Sequence, residues 1–275
     1  MTELIAALPM YDWPEVRAET DTFWANLREV LRELGVDAPE ELVRCNGDLP
    51  AVVKGIHDTA GRLIAPDPAE LPRDDLDLPT LWRHPALLFA QTCWGPMEQG
   101  LDREVVVVGQ PDYSQFEGGE GQFYSSAIMM RREEVRTLET SELQDLIPAL
   151  RGKRFAFNGL DSMSGLIALE RDLQSLGQGP DLFAERIETG SHRASIRALA
   201  ESRADICTVD CRTWDLAERF EPMVEELAVV GWTAKRKGLP FIASRHLPEA
   251  TIQAVREAVS SVARTTAARS TLRLA

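Results

Sequence analysis

Residues 188–210, ETGSHRASIRALAESRADICTVD, form the stretch whose reading decides the fold. It starts at a strand end, turns through Thr189, Gly190 and Ser191, runs on as one amphipathic helix and closes on a second buried strand. A helix start presents unpaired backbone N–H groups and about half a positive charge, so small hydroxyl residues placed there make a seat for an anion. The same order recurs upstream in residues 154–173, RFAFNGLDSMSGLIALERDL. There an apolar strand passes through Asp161, Ser162 and Ser164 into a helix carrying Leu166, Leu169, Leu173 and Leu176 on one face. Two strand-to-helix turns of this kind can converge on one ligand.

Outward from these stretches the pattern repeats. Residues 5–10 read as a short strand and Pro14 suits the first turn of the helix that follows. Val16, Phe23, Leu27, Val30, Leu31 and Leu34 recur at helical spacing until Gly35 supplies a stop. Residues 58–77, with Pro66, Pro68 and Pro72, read as an irregular surface connection. Buried strands are expected at 87–92, 105–108, 124–130, 155–157, 228–232 and 240–244, with a last helix opened by Pro248. The glycine-rich loop 110–122 lacks the Lys-Ser/Thr of a phosphate-binding P-loop. Strands alternating with helices predict an α/β chain with a mostly parallel sheet.

In order and spacing these segments resemble the phosphate, phosphite and phosphonate-binding proteins of ABC importers. LPMYDWPEVRAETDTFWANLREVL (8–31) is similar to that family's first strand and helix, and residues 123–158 to its central strand, spacer and next strand. DSMSG (161–165), TGSHRASIRAL (189–199) and ADICTVD (204–210) follow. The resemblance spans roughly residues 5–245 and implies the two-lobed type 2 periplasmic-binding-protein fold, each lobe a mostly parallel sheet flanked by helices. It implies a first lobe over 1–105, a second over 106–211 and a return to the first over 212–275, with the ligand in the cleft. It further implies capture of a small oxyanion by hinge closure, for uptake through an ABC permease. One departure stands out: Met163 replaces a smaller hydroxyl residue in DSMSG, removing a donor and adding apolar bulk.

Composition narrows the partners. Lys plus Arg is 30 against 44 Asp plus Glu, a formal charge of -14 that repels nucleic acid and anionic membrane. It does not exclude an anionic ligand, because salt screens charge beyond about 8 Å and local donors act at contact. Cys45, Cys93, Cys207 and Cys211 show no paired CxxC spacing and read as reduced thiols, Cys207 and Cys211 as small core residues. No apolar run is long enough for a membrane helix. Met1 is followed within a few residues by the first strand rather than by a basic and then apolar leader. As written the chain reads as cytoplasmic, or as periplasmic if a leader has been removed, and as a monomer.

The candidate ligand-binding residues are Ser162, Ser164, Gly165, Thr189, Gly190, Ser191 and His192 around the two turns. Tyr11, Gln91 and Tyr124 are candidates for the walls, and Asp210 is placed to accept from a ligand ammonium or hydroxyl. Ordinary helix capping accounts for the same Ser, Thr and Asp residues, Asp210 included, without any ligand. No metal, cofactor or catalytic group is expected: DSMSG is not the Gly-x-Ser-x-Gly elbow of a hydrolase. A cytoplasmic ligand sensor and a small-molecule enzyme on the same fold are the alternatives.

Overall fold

The computed structural model describes residues 3–135 and 141–272, with residues 264–272 traced by backbone alone; residues 136–140 of the quoted spacer lie outside the described residues. The chain divides into two compact units. Met1–Thr92, Pro96–Pro111 and Leu239–Ala275 make the first, Cys93–Gly95 and Asp112–Gly238 the second.

The first unit is built on a four-stranded sheet in the order Ile5–Ala7, Leu87–Gln91, Phe241–Ser244, Val105–Gly109. The expected helix is Arg17–Glu33, with Trp24, Leu27 and Leu31 on its buried side. Gly35 ends it in the left-handed region at φ 82°, where a side chain would be strained. Pro14 opens a short 3-10 turn, Pro14–Val16, rather than the helix itself. Aromatic rings fill the core: Trp24 stacks on Phe89 with centroids 6.1 Å apart, and Phe89 meets Phe241 at 5.0 Å. Val255 and Val259 of helix Glu249–Leu272 pack into the same cluster. That helix lies so close to the sheet that a Cβ on Gly109 would fall 2.4 Å from Val259 Cγ1. The stretch expected to be irregular supplies the turn and second strand of a small hairpin, Leu63–Ala65 against Ile56–His57. Asp58 shapes its turn by accepting from the backbone N–H of Ala60 and Arg62.

His84 is buried in this unit between two backbone partners. Its Nε2 faces the Pro50 carbonyl at 3.0 Å, and its Nδ1 accepts from the Ala86 N–H at 3.2 Å. An accepting Nδ1 requires the neutral ring, and burial accordingly lowers the pKa from 6.5. The unfolded chain then binds more protons than the folded one below about pH 6.5, so stability falls as pH drops toward the depressed folded value. The melting temperature should decline between pH 7.5 and about 5.5, and His84→Gln, which takes up no proton, should remove part of that decline. An unchanged pH profile in the variant would contradict this role.

The second unit has a five-stranded sheet in the order Glu185–Glu188, Arg154–Phe157, Ile206–Asp210, Ser126–Arg131, Leu227–Trp232. Phe155, Phe157, Leu166, Leu169, Leu173 and Ile206 belong to its core, and the Phe155 ring meets that of Phe183 at a tilt, centroids 4.7 Å apart. Leu176 leaves the expected apolar face and is 38% exposed, because the helix ends at Ser175. Both large sheets are mixed rather than mostly parallel. Phe241–Ser244 and Ser126–Arg131 each run antiparallel to both neighbours. Each follows a passage of the chain from the other unit, so no crossover helix within the same sheet forces it parallel.

The second unit also runs past the expected limit at 211, to Gly238. Leu227–Trp232 pairs with Ser126–Arg131 and helix Cys211–Phe220 packs on the same sheet, which moves the return from 211–212 to 238–239. The expectation for residues 93–95 is corrected too: they leave the first unit and join the second.

Candidate functional site

Arg154–Phe157 is parallel to both Glu185–Glu188 and Ile206–Asp210. The carboxyl ends of the three strands therefore lie along one sheet edge, where ligands of open α/β sheets bind. Each strand then hands the chain to a helix start with a polar cap. Ser162 caps Met163–Ile167, which continues as Ala168–Ser175; Ser191 caps His192–Ala200; Asp210 caps Cys211–Phe220.

The first start is unusually wide. The Ser162 hydroxyl accepts from the Gly165 N–H at 3.1 Å, and its carbonyl accepts from both Leu166 and Ile167 at 3.2 and 3.0 Å. The i to i+5 bond makes this a π turn, a form that recurs at functional sites. Gly165 leaves room for the Asn158 side chain: a Cβ there would fall 1.8 Å from Asn158 Oδ1, which would have to turn away. Beneath it, the Thr208 hydroxyl donates to the Gly165 carbonyl at 2.7 Å. The Met163 N–H, a donor the seat might have offered, is given to Cys93 Sγ at 3.3 Å. Asp161 is exposed.

At the second start Gly190 adopts φ 85° and its N–H donates to the Asn158 carbonyl at 3.0 Å. Thr189 pins the turn: its hydroxyl lies within reach of the Phe157 carbonyl at 3.0 Å, the Ser191 carbonyl at 3.1 Å and the Ser195 hydroxyl at 2.7 Å. Ser191 Oγ accepts from the Ala194 N–H at 3.1 Å, which leaves its hydrogen for another acceptor.

His192 joins the three starts. Its Nε2 is 2.8 Å from Ser164 Oγ and 3.5 Å from Asp210 Oδ2. Asp210 keeps its capping duty, accepting from the Thr213 N–H at 2.9 Å and the Thr213 hydroxyl at 2.7 Å; capping and proximity to the cluster coexist. Burial lowers the His192 pKa, with Asp210 and the Thr208 carbonyl pulling the other way, which favours the neutral ring. A neutral imidazole and a hydroxyl bring two hydrogens, and their mutual bond uses one. Either the Ser164 hydrogen or an Nδ1–H is then left over; Nδ1 makes no regular hydrogen bond, although the Thr208 carbonyl is placed to receive an Nδ1–H. Tyr124 supplies another surplus donor. It is 2% exposed, its hydroxyl makes no regular hydrogen bond but lies within reach of Ser164, and its pKa is held well above 10, first by burial and then by nearby Cys93 and Asp210, with the Ser164 hydroxyl opposing. The cluster is rich in hydrogens awaiting an acceptor.

Tyr11 and Gln91 lie in the first unit and all the other candidates in the second. Tyr11 is buried in the turn Pro9–Tyr11. The Gln91 amide, 3% exposed, is committed to the Leu239 carbonyl at 3.2 Å. Asn158, Cys93 and Thr208 were not among the candidates. Asn158 carried a faint signal as the polar residue closing an apolar strand; Cys93, distant in sequence, carried none. Cys207 and Cys211 are buried, with burial pushing both thiols up. Among the described residues no group of His, Cys, Asp and Glu side chains could hold a metal ion.

The arrangement is ill suited to acid–base relay. In a Ser-His-Asp triad the two ring nitrogens serve different partners, whereas here hydroxyl and carboxylate both face Nε2.

The family model described as "ABC transporter, phosphonate, periplasmic substrate-binding protein" matches residues 99–275. No curated protein sequence matches the chain. Among similar solved structures is the PhnD1 protein of Prochlorococcus marinus in complex with methylphosphonate, 16% identical with a TM-score of 0.63 over 94% of this chain and 82% of that one. Another is a binding-protein component of an ABC phosphonate transporter from Pseudomonas aeruginosa, 13% identical with a TM-score of 0.59 over 92% and 72%. A histidine kinase sensor domain with similarity to periplasmic binding proteins is 14% identical with a TM-score of 0.55 over 99% and 95%. At these identities the likeness establishes the fold, that of type 2 periplasmic binding proteins.

Proposed function

We infer the function from one premise: this chain belongs to the family of phosphonate periplasmic substrate-binding proteins of ABC transporters. It is a solute-binding protein. Among its described residues no helix is long and apolar enough to cross a membrane. We place the oxyanion of a small phosphonate or phosphate at the sheet edge of the second unit, held by Ser164, Ser191, Tyr124 and the helix starts they flank. His192 orients Ser164, Gly165 and Gly190 allow close approach, and Ser162 and Thr189 hold the turns. Tyr11 and Gln91 are the first lobe's proposed contribution. Capture by hinge closure, delivery to a membrane permease and a periplasmic location belong to the same reading.

The observation that carries it is the buried Tyr124 hydroxyl together with the one hydrogen left over from the Ser164–His192 pair, since buried polar groups left without partners are costly unless a ligand supplies them. The magnitudes suffice without a lysine. Hydrogen bonds to a charged group contribute about 1.5–3 kcal/mol each, and micromolar affinity needs about 8 kcal/mol. Calorimetric titration with methylphosphonate and inorganic phosphate should give saturable binding, with compaction on ligand addition in small-angle scattering. Absence of heat with either anion, alongside binding of a neutral or cationic solute, would overturn the reading.

A further inference from the structure

The same cluster contains an unpartnered acceptor. Asn158 Oδ1 is buried and has no hydrogen-bond donor. It sits over Gly165, where a Cβ would meet it at 1.8 Å. The backbone carbonyl of Asn158 meanwhile holds Gly190, so this residue joins the two helix starts. A fully ionised anion offers only acceptors, and an amide oxygen beside it adds repulsion and leaves an unmade bond. The seat has also lost a backbone donor, because the Met163 N–H is engaged by Cys93 Sγ and the Met163 side chain has no hydroxyl to replace it. Tyr124, 2% exposed, brings a hydroxyl with no regular hydrogen bond to within reach of Ser164, next to Gly165 in sequence.

We propose that Asn158 is a specificity-determining residue that accepts a hydrogen from the ligand, so that the site selects a protonated tetrahedral oxyanion, R–PO2(OH)⁻, over an anion of the same shape with no hydrogen to give. The inference rests on the oxyanion reading above. Methylphosphonate and methanesulfonate separate the two cases. They match in size, and at about pH 5 each carries one negative charge, because the second ionisation of a phosphoryl group lies near 6 or higher. Only the phosphonate keeps an O–H.

Calorimetric titration of the full chain at that pH should show methylphosphonate bound at least tenfold more tightly, the range expected for one buried hydrogen bond left unmade. Asn158→Ala should bring the two affinities to within about threefold, by the same unmade-bond argument. Asn158→Asp, close in shape and still an acceptor, should keep the preference, and its thermal melt guards against a folding defect. Equal affinities in the parent protein, or a preference that survives Asn158→Ala, would overturn the proposal while leaving the oxyanion site standing. If neither anion binds the parent protein, the oxyanion reading falls and this inference with it.

Discussion

Gly95→Ala should be among the most damaging single substitutions in the second unit. A Cβ at this position would lie 1.6 Å from the Asp161 carbonyl oxygen and 2.7 Å from its carbon, both backbone atoms, with Ile167 Cδ1 at 3.2 Å. No rotamer change relieves such a clash; the Cys93–Gly95 segment and the Asp161 turn must part. That movement breaks the Met163–Cys93 bond at 3.3 Å and strains the bond from Trp94 Nε1 to the Gly238 carbonyl at 2.7 Å. Overpacking alone typically costs about 1–3 kcal/mol and each lost hydrogen bond about 1 kcal/mol. The total of about 3 kcal/mol corresponds to a melting temperature lower by roughly 6–12 °C. Gly159→Ala is the control, since its Cβ would meet only the ends of flexible carboxylates, Asp161 Oδ1 at 3.2 Å and Glu188 Oε1 at 3.9 Å. It should change stability by less than about 1 kcal/mol. Equal melting temperatures for the two variants would contradict the close approach.

Removing both seat hydroxyls should have the largest effect on binding. Ser164 is 3% exposed and tied to His192, and Ser191 keeps its hydrogen free while its oxygen caps a helix. Two donors to a charged ligand are together worth about 3–6 kcal/mol, so Ser164→Ala with Ser191→Ala should weaken methylphosphonate by a factor on the order of 10² to 10⁴. Loss of the Ser191 cap costs about 1 kcal/mol of stability as well, so affinity should be measured where the melt shows the variant folded. Unchanged affinity in a folded double variant would reject this placement of the oxyanion.

The contrast between the turns and their surroundings shows what a linear reading can reach. Ser162, Ser191 and Asp210 were legible because capping is local: a small polar residue at a strand end, followed by helical spacing, fixes its own geometry. The convergence of those starts was harder. It depends on which three strands lie side by side; alternation with helices predicts parallel pairing but not the neighbours. The roles of Asn158, faintly marked, and Cys93, unmarked, were hidden for different reasons. Asn158 matters through an oxygen over Gly165, a contact set by the unusual π turn, and no propensity predicts that turn. Cys93 enters the second unit by an excursion of Cys93–Gly95 that no local pattern announces.

The mixed sheets were missed for a related reason. Alternation of strands and helices predicts parallel pairing within a unit. The strands Ser126–Arg131 and Phe241–Ser244, which the chain enters from the other unit, escape that rule. The same omission placed the return near residue 212, although helix Cys211–Phe220 and strand Leu227–Trp232 stay with the sheet they pack on.

The most direct test is a crystal structure of the protein grown with methylphosphonate. The account predicts phosphonate oxygens at about 2.6–3.2 Å from the hydroxyls of Ser164, Ser191 and Tyr124. A ligand seated away from those groups, with the Tyr124 hydroxyl still unpartnered, would contradict it.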